Sequence, residues 1–186
     1  VEGAEVIDAE GGYVVPGGVE LHVHGGGGHD FTEGDEEDYR KAVHAHLIHG
    51  TTSIYPTLMS TTAENIRRTA EICTKLMAEE GSPILGLHLE GNYLSTKKAG
   101  AQLPDAIKNP DPAEYKPLIE DFPCIKRWDI APELDGALEL GEYLTSKGVL
   151  PSIAHTSAVY DDVVKGYEVG YRHVTHFYNA MGGFHN

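Results

Sequence analysis

The chain has 186 residues, 40% of them hydrophobic, with 22 glycines, 11 histidines and a formal charge of −15 at pH 7. It is long and apolar enough to bury one sizeable core, which excludes a disordered or collagen-like chain. The negative charge disfavours nucleic acid as a partner, and no apolar run nears the roughly 20 residues that span a bilayer, so a cytoplasmic protein without a membrane partner is expected.

The start, Val1 to Glu5, has no basic region followed by an apolar stretch and reads as no secretion signal. Val6-Ile7-Asp8 and Tyr13-Val14-Val15 flank Glu10-Gly11-Gly12, the pattern of a short β-hairpin whose turn the glycines permit. Residues 1–15 are therefore read as a remnant of a small β-domain, and residues 16–186 as the main unit. From Val19 onward, strand-like runs alternate with helical patterns about every 30 residues, as in consecutive βα units of a parallel sheet.

The first strand is expected at residues 19–24. A helix at 36–49 follows, with Tyr39, Ala42, Val43, His46 and Leu47 on one stripe; the acidic run from Glu33 to Asp38 suits its start, and Gly50 its end. Residues 53–56 form the second strand. Thr61-Thr62-Ala63-Glu64 reads as a capping box for a helix that buries Ile66, Thr69, Ala70, Cys73 and Met77. A third strand at 84–90 runs into a polar loop at 91–109, too long for a bare connector and so a candidate for ligand contact. A short helix near Pro112 precedes a strand at 125–131, a helix at 137–147, a strand at 149–155, a helix at 161–169 and a strand at 171–176. Cys73 and Cys124 lie in apolar surroundings and read as reduced core residues rather than a disulfide.

Six such units point to a (β/α)8 TIM-type barrel or an open doubly wound sheet. A barrel typically needs about 250 residues, so in that reading this α/β chain is a barrel truncated after about six strands.

The chemistry gathers at strand ends. His22 and His24 stand at i and i+2 and so share a face, where the first strand meets Gly25 to Gly28. Glu90, His155 and His176 each close a later strand, and in a parallel barrel all carboxyl ends surround one mouth. Imidazole and carboxylate donors suit a divalent metal such as Zn, Fe, Mn or Ni, and a site with open positions is the catalytic form. The alternative is a set of satisfied core histidines, which must explain why a carboxylate is buried among them.

The segment from Val15 to Gly25 resembles the opening metal motif of the amidohydrolase superfamily, with Glu20 where an aspartate is more usual. Gly86-Leu87-His88-Leu89-Glu90-Gly91, Asp129-Ile130-Ala131-Pro132-Glu133 and Thr175-His176-Phe177-Tyr178-Asn179-Ala180-Met181 resemble, in order and spacing, blocks of the N-acetylglucosamine-6-phosphate deacetylase family. The resemblance implies a TIM-type metal-dependent hydrolase that deacetylates N-acetylglucosamine 6-phosphate through a metal-activated water. Glu90, His155 and His176 would hold one ion, and His22 and His24 offer a second site. Zinc is expected first, with Fe, Ni, Mn or Co as alternatives. Asn179 and Ala180 resemble contacts to the sugar phosphate, and Ala101 and Gln102 sit in a segment resembling the sugar-contacting loop. Gln102 stands where a histidine is commoner. The resemblance further implies a homodimer and an aspartate acting as general acid and base, which this reading places beyond Asn186. On that reading the 186 residues alone turn over little. The alternatives are another amide or phosphoester hydrolase on the same metal mouth, or a non-catalytic metal- or sugar-binding unit.

Other residues carry weaker signals. His88, two before Glu90, is a ligand or a hydrogen-bonded neighbour one layer deeper. His173, three before His176, is expected on the opposite face. His46 and His49 share a helix face at i and i+3. Gly25 to Gly28 read as a flexible rim, and Lys97 and Lys98 as a basic pair near the mouth that could attract an anion.

Overall fold

The computed structural model describes residues 3–183. Its strands and helices follow in the order β1 (Gly18–Val23), β2 (Gly25–Gly26), β3 (His29–Asp30), α1 (Glu36–Leu47), β4 (Thr51–Leu58), α2 (Ala63–Met77), β5 (Leu87–Glu90), α3 (Pro112–Asp121), β6 (Ile125–Ile130), α4 (Ala137–Ser146), β7 (Leu150–Ile153), α5 (Tyr160–Glu168) and β8 (His173–Val174). Six strands pair in parallel in the order β1-β4-β5-β6-β7-β8, forming a curled sheet that is the six-strand part of a TIM-type barrel.

The pleat sorts side chains by polarity. On β5 and β6, Leu87, Leu89, Trp128 and Ile130 are buried in the apolar cluster, along with Ile66, Ala70 and Cys73 of α2 and Leu140 and Leu144 of α4. Apolar core thus lies between sheet and helices, where burial of each large side chain contributes about 2 kcal/mol. The concave face carries the polar residues. Register places Glu90 opposite Asp129, Asp129 opposite Ser152, and Ser152 opposite His173, in one row across four strands. Between Leu87 and His88 the pairing with β6 slips by one residue, so that Arg127 and Asp129 face inward although Ile125, of the same parity, belongs to the apolar cluster. Arg127 crosses the concave side, its Nη1 donating to the Leu21 carbonyl of β1 at 2.9 Å.

Helix ends follow ordinary capping rules. Asp35 caps α1 and accepts from the Glu37 and Asp38 amides, while the Asp38 carboxylate accepts from the Asp35 amide, so the acidic run does start the helix. On α2 the cap is Thr62, accepting from Asn65, and the capping box expected from Thr61 and Glu64 does not form. Cys73 and Cys124 are both free and buried.

Two expectations are corrected. No strand occurs among described residues 3–17; the segment makes only a turn in which the Gly12 amide donates to the Ala9 carbonyl. Val6, Ile7, Tyr13, Val14 and Val15 are all highly exposed, and a lone two-stranded hairpin with no surface to cover it is at best marginal. The glycine rim is an ordered hairpin instead: β2 and β3 pair antiparallel around Gly27 and Gly28, whose φ angles of 61° and 86° suit a primed two-residue turn.

Gly91, directly after β5, sits at φ 139°, and a Cβ there would lie 2.1 Å from the Ser60 Oγ and 2.9 Å from the Ser60 backbone. Its carbonyl also accepts from the Trp128 indole at 2.7 Å, so the turn that follows Glu90 is fixed from both sides. Gly91→Ala is expected to destabilise the chain by about 2 kcal/mol or more, read from the midpoint of urea unfolding.

Candidate metal centre

Glu90 ends β5 with its side chain almost wholly buried, on the concave face at the carboxyl-terminal mouth of the sheet. Its Oε1 lies 2.9 Å from His155 Nε2 and 2.8 Å from His176 Nε2, and the two imidazole nitrogens are 3.2 Å apart. Its Oε2 lies 2.9 Å from His24 Nε2, while His22 Nε2 stands 3.8 Å from Oε1. Of the five residues picked out at strand ends, the four histidines therefore converge on the carboxylate of the fifth. They form two overlapping donor groups, His22–His24–Glu90 and Glu90–His155–His176.

Three of the imidazoles are oriented in the same way. His24 Nδ1 faces the Thr57 carbonyl at 3.3 Å, His155 Nδ1 the Lys98 carbonyl at 2.7 Å, and His176 Nδ1 the Asn179 carbonyl at 3.2 Å. A carbonyl can only accept, so each ring carries a proton on Nδ1 and turns Nε2 toward Glu90, where that nitrogen donates to the carboxylate or, once deprotonated, offers its lone pair to an ion. His155 and His176 achieve this with left-handed backbone, at φ 43° and 30°. Such conformations are uncommon outside glycine and mark positions that the surroundings hold in place. Glu133 supplies part of that hold after β7, accepting from the Ser157 amide and the Thr156 hydroxyl.

The electrostatics match a cation-binding pocket. Burial alone would raise the Glu90 pKa, but hydrogen bonds from His155, His176 and His24 hold it far below the carboxylate range. Burial pushes His22 down to about 4, against the pull of Glu90. For His24, burial is outweighed by the Glu90 contact and the pKa rises; for His176 the Glu90 hydrogen bond raises it. A fixed negative charge faced by neutral-capable imidazoles is the donor set a divalent ion takes.

Comparison with known proteins agrees with that chemistry. The profile of the amidohydrolase family matches residues 13–186. The chain belongs to this family. Family membership implies a divalent metal, and the donors at the mouth fit one. Among curated relatives, N-acetylglucosamine-6-phosphate deacetylase of Caenorhabditis elegans is 32% identical over 191 residues, covering 97% of this chain and 46% of the relative. The Bacillus subtilis enzyme of that name is 32% identical over 182 residues, covering 93% and 45%. A mutant N-acetyl-D-glucosamine-6-phosphate deacetylase from Mycobacterium smegmatis, solved in complex with N-acetyl-D-glucosamine-6-phosphate, superposes with a TM-score of 0.85 at 35% identity, over 90% of this chain and 44% of that one. The Pasteurella multocida enzyme gives 0.91 at 27% identity, over 97% and 48%. The chain spans about half the length of the relatives it matches.

The remaining candidates of this amidohydrolase chain fall around the mouth. Asn179 is exposed and donates to the His176 carbonyl, and Ala180 follows at φ 50° with its carbonyl accepting from the Thr156 amide. Ala101 is exposed, whereas Gln102 is buried with its amide oxygen accepting from the Ser60 amide at 2.7 Å. Lys98 donates to the Met181 carbonyl, and Lys97 is exposed. His46 is turned to the Gly25 carbonyl at 3.0 Å. His173 is corrected: it lies on the concave face with Nδ1 3.2 Å from Ser152 Oγ, because the chain leaves extended geometry before His176 and so breaks the alternation.

Arg127 and Asp129 escape a reading based on strand ends, although two charged residues inside an otherwise apolar strand are a signal. Both are buried beneath the centre, where Asp129 Oδ1 lies 3.0 Å from His88 Nε2 and accepts the Thr175 hydroxyl at 2.7 Å.

Metal affinity, measured by calorimetry, is expected to fall as pH drops from neutral through the ordinary histidine range. The raised pKa values mean that protons on His24 and His176 must be displaced; His22, neutral down to about 4, contributes nothing in that window. Glu90→Gln is expected to cost about 100-fold or more in metal affinity.

Proposed function

We propose that this chain builds the active-site mouth of a metal-dependent deacetylase that converts N-acetylglucosamine 6-phosphate to glucosamine 6-phosphate and acetate. The observation that carries the proposal is the convergence of Glu90 with His22, His24, His155 and His176 at the carboxyl ends of the strands, in a chain whose curated and solved relatives are named for that reaction. In this reading Glu90, His155 and His176 hold one ion and His22 and His24, with Glu90, a second; zinc suits the nitrogen and oxygen donors best. Such an ion supplies a Lewis acid and water activated near neutral pH.

The chain's own residues would position the substrate. Gly100 is close enough that a Cβ there would lie 3.2 Å from His155 Cε1 and 3.9 Å from Ala180 Cβ, so the loop bearing Ala101 and Gln102 meets the segment bearing Asn179 and Ala180 directly over a ligand. We assign the sugar to Ala101 and Gln102, and the phosphate to Asn179 and the Ala180 backbone. The exposed Lys97 ammonium favours an anion at this rim against the overall charge. Gln102, engaged with Ser60, would contact the sugar only through the part of its amide that Ser60 does not use. Attack on the acetamide carbonyl breaks the C–N bond, and the leaving amine takes up a proton from an aspartate that we place outside residues 1–186. A cytoplasmic homodimer completes the proposal.

The test is acetate release from N-acetylglucosamine 6-phosphate by the protein carrying this chain. Release should stop on chelation, return with added zinc, and fall by about 100-fold or more in Glu90→Gln, the equivalent of about 3 kcal/mol of transition-state stabilisation. Release indifferent to chelator and to Glu90→Gln would overturn the assignment, and sugar bound without turnover would favour a binding role.

A further inference from the structure

Of the four imidazoles, His22 alone has no backbone carbonyl at Nδ1. That nitrogen faces His88 Nδ1 at 3.4 Å, and an imidazole nitrogen can donate or accept. The orientation of the His22 lone pair is therefore open until the state of His88 is known. The other side of His88 settles it. His88 Nε2 lies 3.0 Å from Asp129 Oδ1, which also accepts the Thr175 hydroxyl and lies 3.6 Å from the Arg127 guanidinium. The contact is an ion-pair approach rather than an aligned hydrogen bond, yet a carboxylate oxygen this close repels a nitrogen lone pair and attracts an N–H, so His88 carries its proton on Nε2 and offers an Nδ1 lone pair. Thr57 Oγ1, 3.1 Å from the same Nδ1, has the Tyr55 carbonyl at 3.1 Å for its own proton, so it does not compete for that lone pair.

We propose that His88, fixed by Asp129, is a positioning residue that holds the His22 proton on Nδ1 and its Nε2 lone pair toward Glu90, and so creates the second ion site of the centre. The chain of dependence runs Asp129, His88, His22, and each member is set by the one below it. His22, His88 and Asp129 also stand close enough together to form a donor group of their own, and an ion there would occupy the nitrogens that this relay requires to be hydrogen-bonded. The proposal rests on the metal reading of the mouth but not on the deacetylation reaction, and its test needs no substrate.

Long-range proton–nitrogen correlation spectra of the metal-free chain near neutral pH should show His22 as the Nδ1–H tautomer and His88 as the Nε2–H tautomer. His22 found as Nε2–H overturns the proposal whatever the enzyme does. Calorimetric titration with zinc should then give two ions per chain. In His88→Leu one of them should weaken by about 10- to 100-fold while the other stays within about threefold. His88→Gln, whose amide oxygen can accept from His22 while its NH2 donates to Asp129, should restore the weakened ion. A single ion in the unmodified chain, an equal loss of both ions in His88→Leu, or no rescue by His88→Gln overturns it.

Discussion

One buried carboxylate sets the terms for the rest of this molecule. An ionised Glu90 on a closely packed concave surface costs several kcal/mol unless charge and hydrogen bonds surround it. Four imidazole nitrogens supply that surrounding here, each arriving from the end of a different strand or from the same strand two residues apart. The consequence reaches down the sheet. Because the mouth must be polar, the layer beneath it is polar too, with His88, Arg127, Asp129, Ser152 and Thr175 in mutual ion-pair and hydrogen-bond contact, although the buried Arg127 Nε and Asp129 Oδ2 find no hydrogen-bond partner among the described residues. Apolar stabilisation is moved to the other side of the sheet, where the helices lie.

That division explains how far the sequence could be read. Apolar stripes and stop residues located the five α-helices and the six strands of the main sheet: α1, α2 and α4 bury apolar stripes, and a glycine or proline comes within two residues of the end of β1, β5 and β6. The ends of β1 and β5 were legible in this way, and with them His22, His24 and Glu90, whereas β7 and β8 stop at Ile153 and Val174, two residues short of His155 and His176. What was illegible depended on breaks in alternation. The slip opposite His88 re-aims Arg127 and Asp129, and positive φ at His155 and His176 swings both rings back over the mouth. A period of two cannot foresee either, since both come from neighbouring strands and loops rather than from the residues themselves. The segment around Val6 and Val15 failed differently: local pattern suggested pairing, but nothing in the described residues covers its apolar side chains.

Loop contacts keep this mouth in shape. Lys98 links two regions through one residue, its carbonyl accepting from His155 and its ammonium donating to Met181. Glu133 ties the turn after β7 in a similar way. These contacts join the rim segments to the ligands themselves, so a change in rim conformation is a change in where an imidazole points.

The Arg127 crossing has a geometric meaning of its own. β1 and β6 are three places apart in the sheet, yet one side chain spans the concavity between them and ends on the carbonyl just before His22. It acts as a chord across an arc. The reach of a single guanidinium arm thereby fixes how tightly the strands bow, and the bowing decides whether imidazoles from the sheet's edge and a carboxylate from its middle can share one ion.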